Sequence, residues 1–334
     1  MQFGYSERCL EHDPGPRHPE TPDRLRAIKQ GLARHHGVAY REASPATEAA
    51  VTAVHSAGYI DEFRSFCATG GGPWDQDTVA VEETWDAALQ SAGLAQWAAE
   101  RALAGEQGRE TPFSLGRPPG HHAVEDDAMG FCFINNSAVA AQAVIDSGDA
   151  DRVAIFDWDV HHGNGIQDIF DDRPDVFYGS IHEDGLYPGT GAIVERGVGD
   201  GEGTTVNAPL SAGAGDAEYL HLVDRVVGPL LRRYDPDLLL ISAGFDAHRH
   251  DPISRMRLST EGYALMTDRL RSIAAEIDAP IAFVLEGGYG LETLADGVAI
   301  VHETFDGREP IPCEEEPDED AQVVANRLVD SFDL

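Results

Sequence analysis

Five short runs, Thr111–Leu115, Val153–Phe156, Val176–Ile181, Leu238–Ser242 and Ile281–Leu285, constrain this chain more than any other feature. Each has the length of a strand. Val153-Ala-Ile-Phe156 is apolar throughout, with none of the in–out alternation of a sheet that has one wet face. Continuous apolarity of that kind marks a parallel strand covered on both sides. Helix-like segments fall between the runs, at Ser137–Ile145, Ala217–Tyr234 and Thr260–Glu276, and helical patterns precede them around Ala49–Cys67 and Glu82–Ala104. The alternation predicts an α/β fold of three layers, a central parallel sheet with helices on both faces. Near the start, Thr21 is the expected helix N-cap, with Pro22 at the first helical position. Past Cys313, Glu314-Glu-Glu-Pro-Asp-Glu-Asp320 reads as a solvated link and Val323–Leu334 as a short amphipathic tail. The expected organisation is one catalytic-size domain over 1–312, then 313–334 as link and tail.

A chain of 334 residues can bury roughly 75% of its unfolded surface, so its core needs no staples. Its cysteines, Cys9, Cys67, Cys132 and Cys313, are scattered, which argues against a disulfide framework and a thiolate zinc finger. No segment resembles a signal peptide and no apolar run has membrane-spanning length, so a soluble, cytoplasmic protein is expected. The net charge of −35 is extreme, and Lys29 is the only lysine. Such a surface repels nucleic acid and attracts cations. Spread along the whole chain, it reads as adaptation to a salt-rich cytosol, where screening shrinks to about 3 Å at 1 M salt.

Ligand sites in open α/β sheets lie beyond the carboxyl ends of the strands, and here those ends carry chemistry. Phe156 leads into Asp157-Trp-Asp159-Val-His161-His162-Gly163-Asn164-Gly165. Leu115 leads into Gly116-Arg-Pro-Pro-Gly-His121-His122, the third run ends in Ser180-Ile-His182, the fourth reaches Asp246-Ala-His248, and the fifth reaches Glu286-Gly-Gly-Tyr289. Asp159 and His161 stand two apart, so on extended backbone both side chains point the same way. With Asp246 they supply two oxygens and one nitrogen, a set that suits Zn²⁺ with a position left for water. Such an ion brings a water's pKa toward about 7 and polarises a carbonyl. His121 and His122 can serve as base and acid, Asp157 can fix the tautomer of one of them, and Tyr289 can donate to a developing oxyanion. A second metal would need carboxylates two residues after His161 and after Asp246. Those positions are Gly163 and His248, so one metal is expected. His182 and His248 read equally well as satisfied core histidines, and His162 reads as a group behind the ligands rather than a ligand.

Arg117-Pro-Pro-Gly-His-His122, Asp157-x-Asp-Val-His-His-Gly-Asn-Gly165, Ser242-Ala-Gly-Phe-Asp-Ala-His248 and Leu285-Glu-Gly-Gly-Tyr289 together resemble the signatures of zinc-dependent histone deacetylases. That family includes acetylpolyamine amidohydrolases and acetoin-utilisation proteins. The resemblance runs in order from His18-Pro-Glu to about Phe305. It implies an arginase-like α/β fold, Asp159, His161 and Asp246 on zinc (or Fe²⁺ in the cell), and His122 as general base and acid. His121 would be its electrostatic partner, paired with Asp157, and Tyr289 would polarise the substrate carbonyl. It also implies a structural K⁺ site at Asp157, Asp159, His161, Ser180 and Ile181, and an acyl-lysine channel past Gly130, Phe131 and Tyr187, with Ile253 at its rim. The implied substrates are acetylated lysine in peptides or proteins, or alternatively acetylated polyamines. Two departures resemble the class II branch: Asn164 replaces an aspartate behind His122, and Glu286 interrupts an all-glycine run.

Overall fold

The computed structural model describes residues 1–334. Ten strands occur along the chain: β1 (Gln2–Gly4), β2 (Ala39–Arg41), β3 (Gly72–Pro73), β4 (Val79–Ala80), β5 (Pro112–Ser114), β6 (Val153–Asp157), β7 (Val176–Glu183), β8 (Thr205–Leu210), β9 (Leu238–Ala243) and β10 (Ile281–Leu285). Strands β3 and β4 form a small hairpin, and the other eight form one sheet in the order β2-β1-β5-β10-β9-β6-β7-β8. Every pairing in that sheet is parallel. All residues of β5, β6, β7, β9 and β10 are buried, as continuous apolar runs require when helices cover both faces. One large cluster of buried apolar residues, holding Phe156, Ile241 and Phe283, lies on one face. A second, holding Ile155, Leu240 and Val284, lies on the other. Alternate residues of one strand thus feed opposite layers.

The five predicted strands are present within a residue or two of their expected bounds. Three more strands of the large sheet, and the β3–β4 hairpin, escaped notice. β1 and β2 are three residues long, too short for a pattern, and β8 carries Asn207 and Pro209. That proline is tolerated because β8 lies at the sheet's edge. Thr21 is not the first helix's cap: the helix is Asp23–Leu32, Pro22 holds the cap position, and no side chain caps it. The segment expected to be helical around Ala49–Cys67 is two helices, Glu48–Thr52 and Ala57–Ala68, the second capped by the Ser56 hydroxyl. Ala217–Tyr234 is interrupted: a π-turn at Val223–Val227 separates Asp216–Leu222 from Gly228–Tyr234. Pro229 follows after Gly228, and a residue without an N–H that crowds the preceding turn favours such a loosening.

The tail folds into a helix, Glu319–Phe332, capped by Asp318. Ala321, Ala325, Leu328 and Phe332 bury into the larger apolar cluster, so this amphipathic stripe is docked. No helix is long and apolar enough to cross a membrane, and all four cysteines are free.

Register decides where the chemistry falls. Asp157 stands beside Ser180 on one side and Ser242 on the other, and Val284 pairs with both Ser242 and Ser114. The strands therefore end at one level. The turns that follow them meet along one edge.

Candidate active site

Three ligand-type side chains converge at that edge. One donor atom from each of Asp159, His161 and Asp246 lies within 4.8 Å of the others. His161 Nδ1 is 3.0 Å from Asp159 Oδ1 and 3.4 Å from Asp246 Oδ2. Backbone amides hold the carboxylates in place: Val160 N donates to Asp246 Oδ1 at 2.9 Å and Gly287 N to Asp159 Oδ2 at 2.8 Å. Asp246 Oδ2 is buried with no hydrogen-bond partner. An orphaned carboxylate oxygen facing a second carboxylate and an imidazole is what a divalent cation satisfies. Gly287 makes room for it, since a Cβ there would come within 2.1 Å of Asp246 Oδ2 and 2.6 Å of Asp159 Oδ2. Burial disfavours a charged imidazole, yet the two carboxylates raise His161 to about 10. The pocket demands positive charge.

The two imidazoles of the 116–122 turn stand beside these groups, their rings 4.0 Å apart, and their surroundings differ. His121 Nδ1–H donates to Asp157 Oδ2 at 3.0 Å. Burial opposes its charge, but Asp159, Asp157 and that bond outweigh burial and push it up to about 10. His122 Nδ1–H donates to the neutral Asn164 Oδ1 at 2.8 Å, leaving Nε2 free to accept. Burial, then the charge on His121 and His161, holds His122 well below its usual value. Adjacent groups pushed in opposite directions mark an acid/base assignment, here a charged His121 and a neutral His122.

Tyr289 approaches from the β10 turn. Burial keeps its phenol well above the usual value although Arg24 pulls it down, so it remains a proton donor. Its ring lies edge-on to Phe131 at 5.7 Å and under the Arg24 guanidinium at 4.9 Å. Of the residues expected along a substrate channel, Gly130 and Tyr187 lie against His122 and Phe131 lies against Tyr289. Tyr187 stands edge-on to His122 at 5.1 Å. Gly130 is left-handed at φ 55°, and a Cβ there would meet His122 Cδ2 at 2.4 Å. Phe131, a bulky residue, is also left-handed at φ 69°, a strained conformation of the kind that clusters where side chains must be aimed. Ile253 is half-buried on the loop between Asp246 and the helix Thr260–Glu276.

The other predicted positions have local explanations. His162 bonds to Thr190 and Gln167, at 2.8 and 3.0 Å, and is not among the converging donors. His182 bonds to Ser180 Oγ and Gly191 O, and His248 to Thr260, so both are satisfied core histidines. Asp157 Oδ1 accepts from Asp159 N at 3.0 Å, and Ser180 and Ile181 lie on the neighbouring strand.

The sequence reading missed the carboxylates that carry the turns. Glu286, noticed only as a departure from a glycine run, is fully buried and accepts from Gly120 N (2.7 Å), His121 N (3.2 Å), Ser242 Oγ (3.0 Å) and Ser137 Oγ (3.3 Å). Glu20, buried likewise, pairs with Arg117 and Arg24 and lies 3.4 Å from His12. Arg24 in turn donates to Gly288 O at 2.7 Å and to Glu286 O. The one sequence signal was the density of charge in a stretch that had to be buried: His18-Pro-Glu20, Arg24 and Arg117.

Residues 18–305 match the family model described as histone deacetylase domain. A histone deacetylase-like amidohydrolase of Pseudomonas aeruginosa is 38% identical over 312 residues, which cover 86% of this chain and 81% of that one. The solved HD domain of HDA15 superposes with a TM-score of 0.91 at 35% identity, covering 99% of this chain and 96% of the other. An acetylpolyamine aminohydrolase from Burkholderia pseudomallei superposes with a TM-score of 0.82 at 32% identity, covering 92% and 99%.

Proposed function

This chain belongs to the histone deacetylase family, whose members are deacetylases and amidohydrolases, and we propose that it removes acetyl groups from lysine side chains of peptides or proteins. The observation that carries the reading is the geometry of two adjacent imidazoles, His121 bonded to a carboxylate and His122 to a neutral amide, beside a three-donor cation site. Asp159, His161 and Asp246 would hold a zinc ion, which when bound lowers the pKa of a water and polarises the amide carbonyl. His122 Nε2 would take the proton of the attacking water and later pass it to the departing amine. His121, held by Asp159 and Asp157, would supply positive potential next to the developing negative charge. The Tyr289 hydroxyl donates to the oxyanion, a contact typically worth about 10²–10³ in rate. Phe131 and Tyr187 flank an acyl chain, and a narrow aromatic passage accepts an uncharged acetamide while leaving a charged remainder outside. Asp157, Asp159, His161, Ser180 and Ile181 are proposed to share a structural K⁺, supported by the register that places Asp157 beside Ser180.

An acetylated polyamine presents the same acetamide on a flexible chain, and a structural relative is an acetylpolyamine aminohydrolase. Steady-state kinetics on an acetyl-lysine peptide and on acetylspermidine decides between them. The proposal expects kcat/KM to favour the peptide by about tenfold or more. A ratio in favour of acetylspermidine overturns the lysine assignment and leaves the amidohydrolase reading standing. Replacing Tyr289 by Phe is expected to lower kcat by about 10²-fold with little change in KM. An unchanged kcat would remove the oxyanion role.

A further inference from the structure

Asp251 is buried to 7% exposure, yet its carboxylate is answered by backbone amides. Oδ2 accepts from Tyr289 N at 2.7 Å and Gly290 N at 2.9 Å, and Oδ1 accepts from Ile253 N at 3.1 Å. Its own amide donates to His248 O at 2.7 Å. A carboxylate taken out of water is costly unless charge-assisted hydrogen bonds replace its hydration. Three donors from two separate loops do so here. The helix Leu291–Phe305 begins immediately after Gly290 and has no side-chain cap of its own. Its open amide end is met by an acid from a different part of the chain, the favourable sign at a helix N-terminus.

Tyr289 sits at the crossing of these restraints. Before it, Gly288 O accepts from Arg24 Nε at 2.7 Å. At it and after it, both amides are bound to Asp251. The same carboxylate fixes Ile253, whose loop begins at the proposed ligand Asp246. One side chain thus couples the height of the phenol to the loop that carries Ile253. A reacting group displaced by about 1 Å can lose on the order of 10² in rate, so this backbone restraint bears on chemistry.

We propose that Asp251 is a positioning residue that sets the Tyr289 hydroxyl on the substrate carbonyl and locks it to the Ile253 loop. The inference rests on the oxyanion role assigned to Tyr289 above. A plain helix cap would stabilise the fold without acting through the phenol, and the two roles separate in a double-mutant cycle. On an acetyl-lysine peptide, Asp251→Ala is expected to lower kcat by about tenfold or more with KM within about twofold. In a Tyr289→Phe background the same change should lower kcat by less than about twofold, because the hydroxyl it positions is already gone. Asp251→Asn keeps one oxygen able to accept from Tyr289 and Gly290 but turns an amide N–H toward Ile253 N. It should therefore recover most of kcat. If alanine prevents folding, Asp251→Ser, too short to reach both amides, takes its place in the cycle. An equal loss in both backgrounds, or a change confined to KM, overturns the positioning role. A Tyr289→Phe enzyme as fast as the parent overturns the oxyanion reading instead, so the two failures are distinguishable.

Discussion

Glu20 and Glu315 are the same side chain in opposite circumstances. Glu20 is 0% exposed, chelated by Arg117 through two bonds of 2.7 and 2.5 Å and by Arg24 at 3.1 Å. Glu315 lies in the exposed stretch Glu314–Glu316, where no carboxylate forms an ion pair. Burial forces an acid to define its surroundings, because every lone pair must be answered. Solvation lets an acid stand alone. The site is built from the first kind: Asp157, Asp159, Asp246, Glu286 and Glu20 are all fully buried. The charge of −35 comes chiefly from the second.

The sharpest way to break this contrast is to delete one acid of each kind. Glu20→Ala strands two buried guanidiniums, and breaking a buried pair by removing one partner costs about 3–5 kcal/mol. Arg24 would also lose part of its hold over Tyr289. Glu315→Ala is expected to stay within about 0.5 kcal/mol, as for exposed sites without special features. Urea melts of the two variants check this directly, and comparable losses would erase the distinction between the two regions.

Acid tests the buried side through a different group. His55 Nδ1–H donates to Val124 O at 2.8 Å, while Nε2 accepts from Asn135 N at 2.9 Å. A protonated ring would turn an N–H against that amide. Burial pushes the imidazole down to about 4, from an unfolded value near 6.5. Between these values the unfolded chain binds the extra proton, so stability is complete above about 6.5 and falls as pH drops toward 4. The contribution is on the order of 3 kcal/mol at the acid end. His55→Gln, whose amide oxygen can still accept from Asn135, is expected to flatten that limb in denaturant melts recorded from pH 7 to 4. An unchanged limb would show that other groups set the acid sensitivity.

These buried partnerships also explain what was legible in the sequence. Strands β6, β9 and β10 announced themselves because parallel strands covered on both faces must be apolar throughout. The converging ligands were legible because Asp159, His161 and Asp246 directly follow such runs. Glu286 directly follows β10 and Asp251 lies farther along the same turn as Asp246, yet their role lies in accepting amides from turns far along the chain. Glu286 reaches Gly120, and Asp251 reaches Tyr289. No local pattern encodes a partner 166 residues away. Glu20 with Arg117, and the three-residue strands β1 and β2, were hidden for the same reason: their meaning is fixed by tertiary neighbours.

Salt gives the smallest effect per residue and addresses the exposed side alone. Buried pairs such as Glu20 with Arg117 are screened little, whereas exposed like charges repel over about 10 Å at 0.1 M salt and about 3 Å at 1 M. If the acidic surface is suited to a salt-rich cytosol, Tm should rise steadily from dilute buffer to molar KCl as that repulsion is removed. Neutralising Glu314, Glu315 and Glu316 together by Gln should raise Tm slightly in dilute buffer and leave it unchanged in molar KCl, because three of many dispersed charges carry only their share. NaCl run beside KCl separates screening from the proposed K⁺ site. Screening acts alike in both salts, while a bound ion would add a stabilisation specific to potassium that saturates with concentration. A Tm indifferent to either salt would mean that the exposed acids lie too far apart to repel, and the surface would then lose its role in stability as well as in the site.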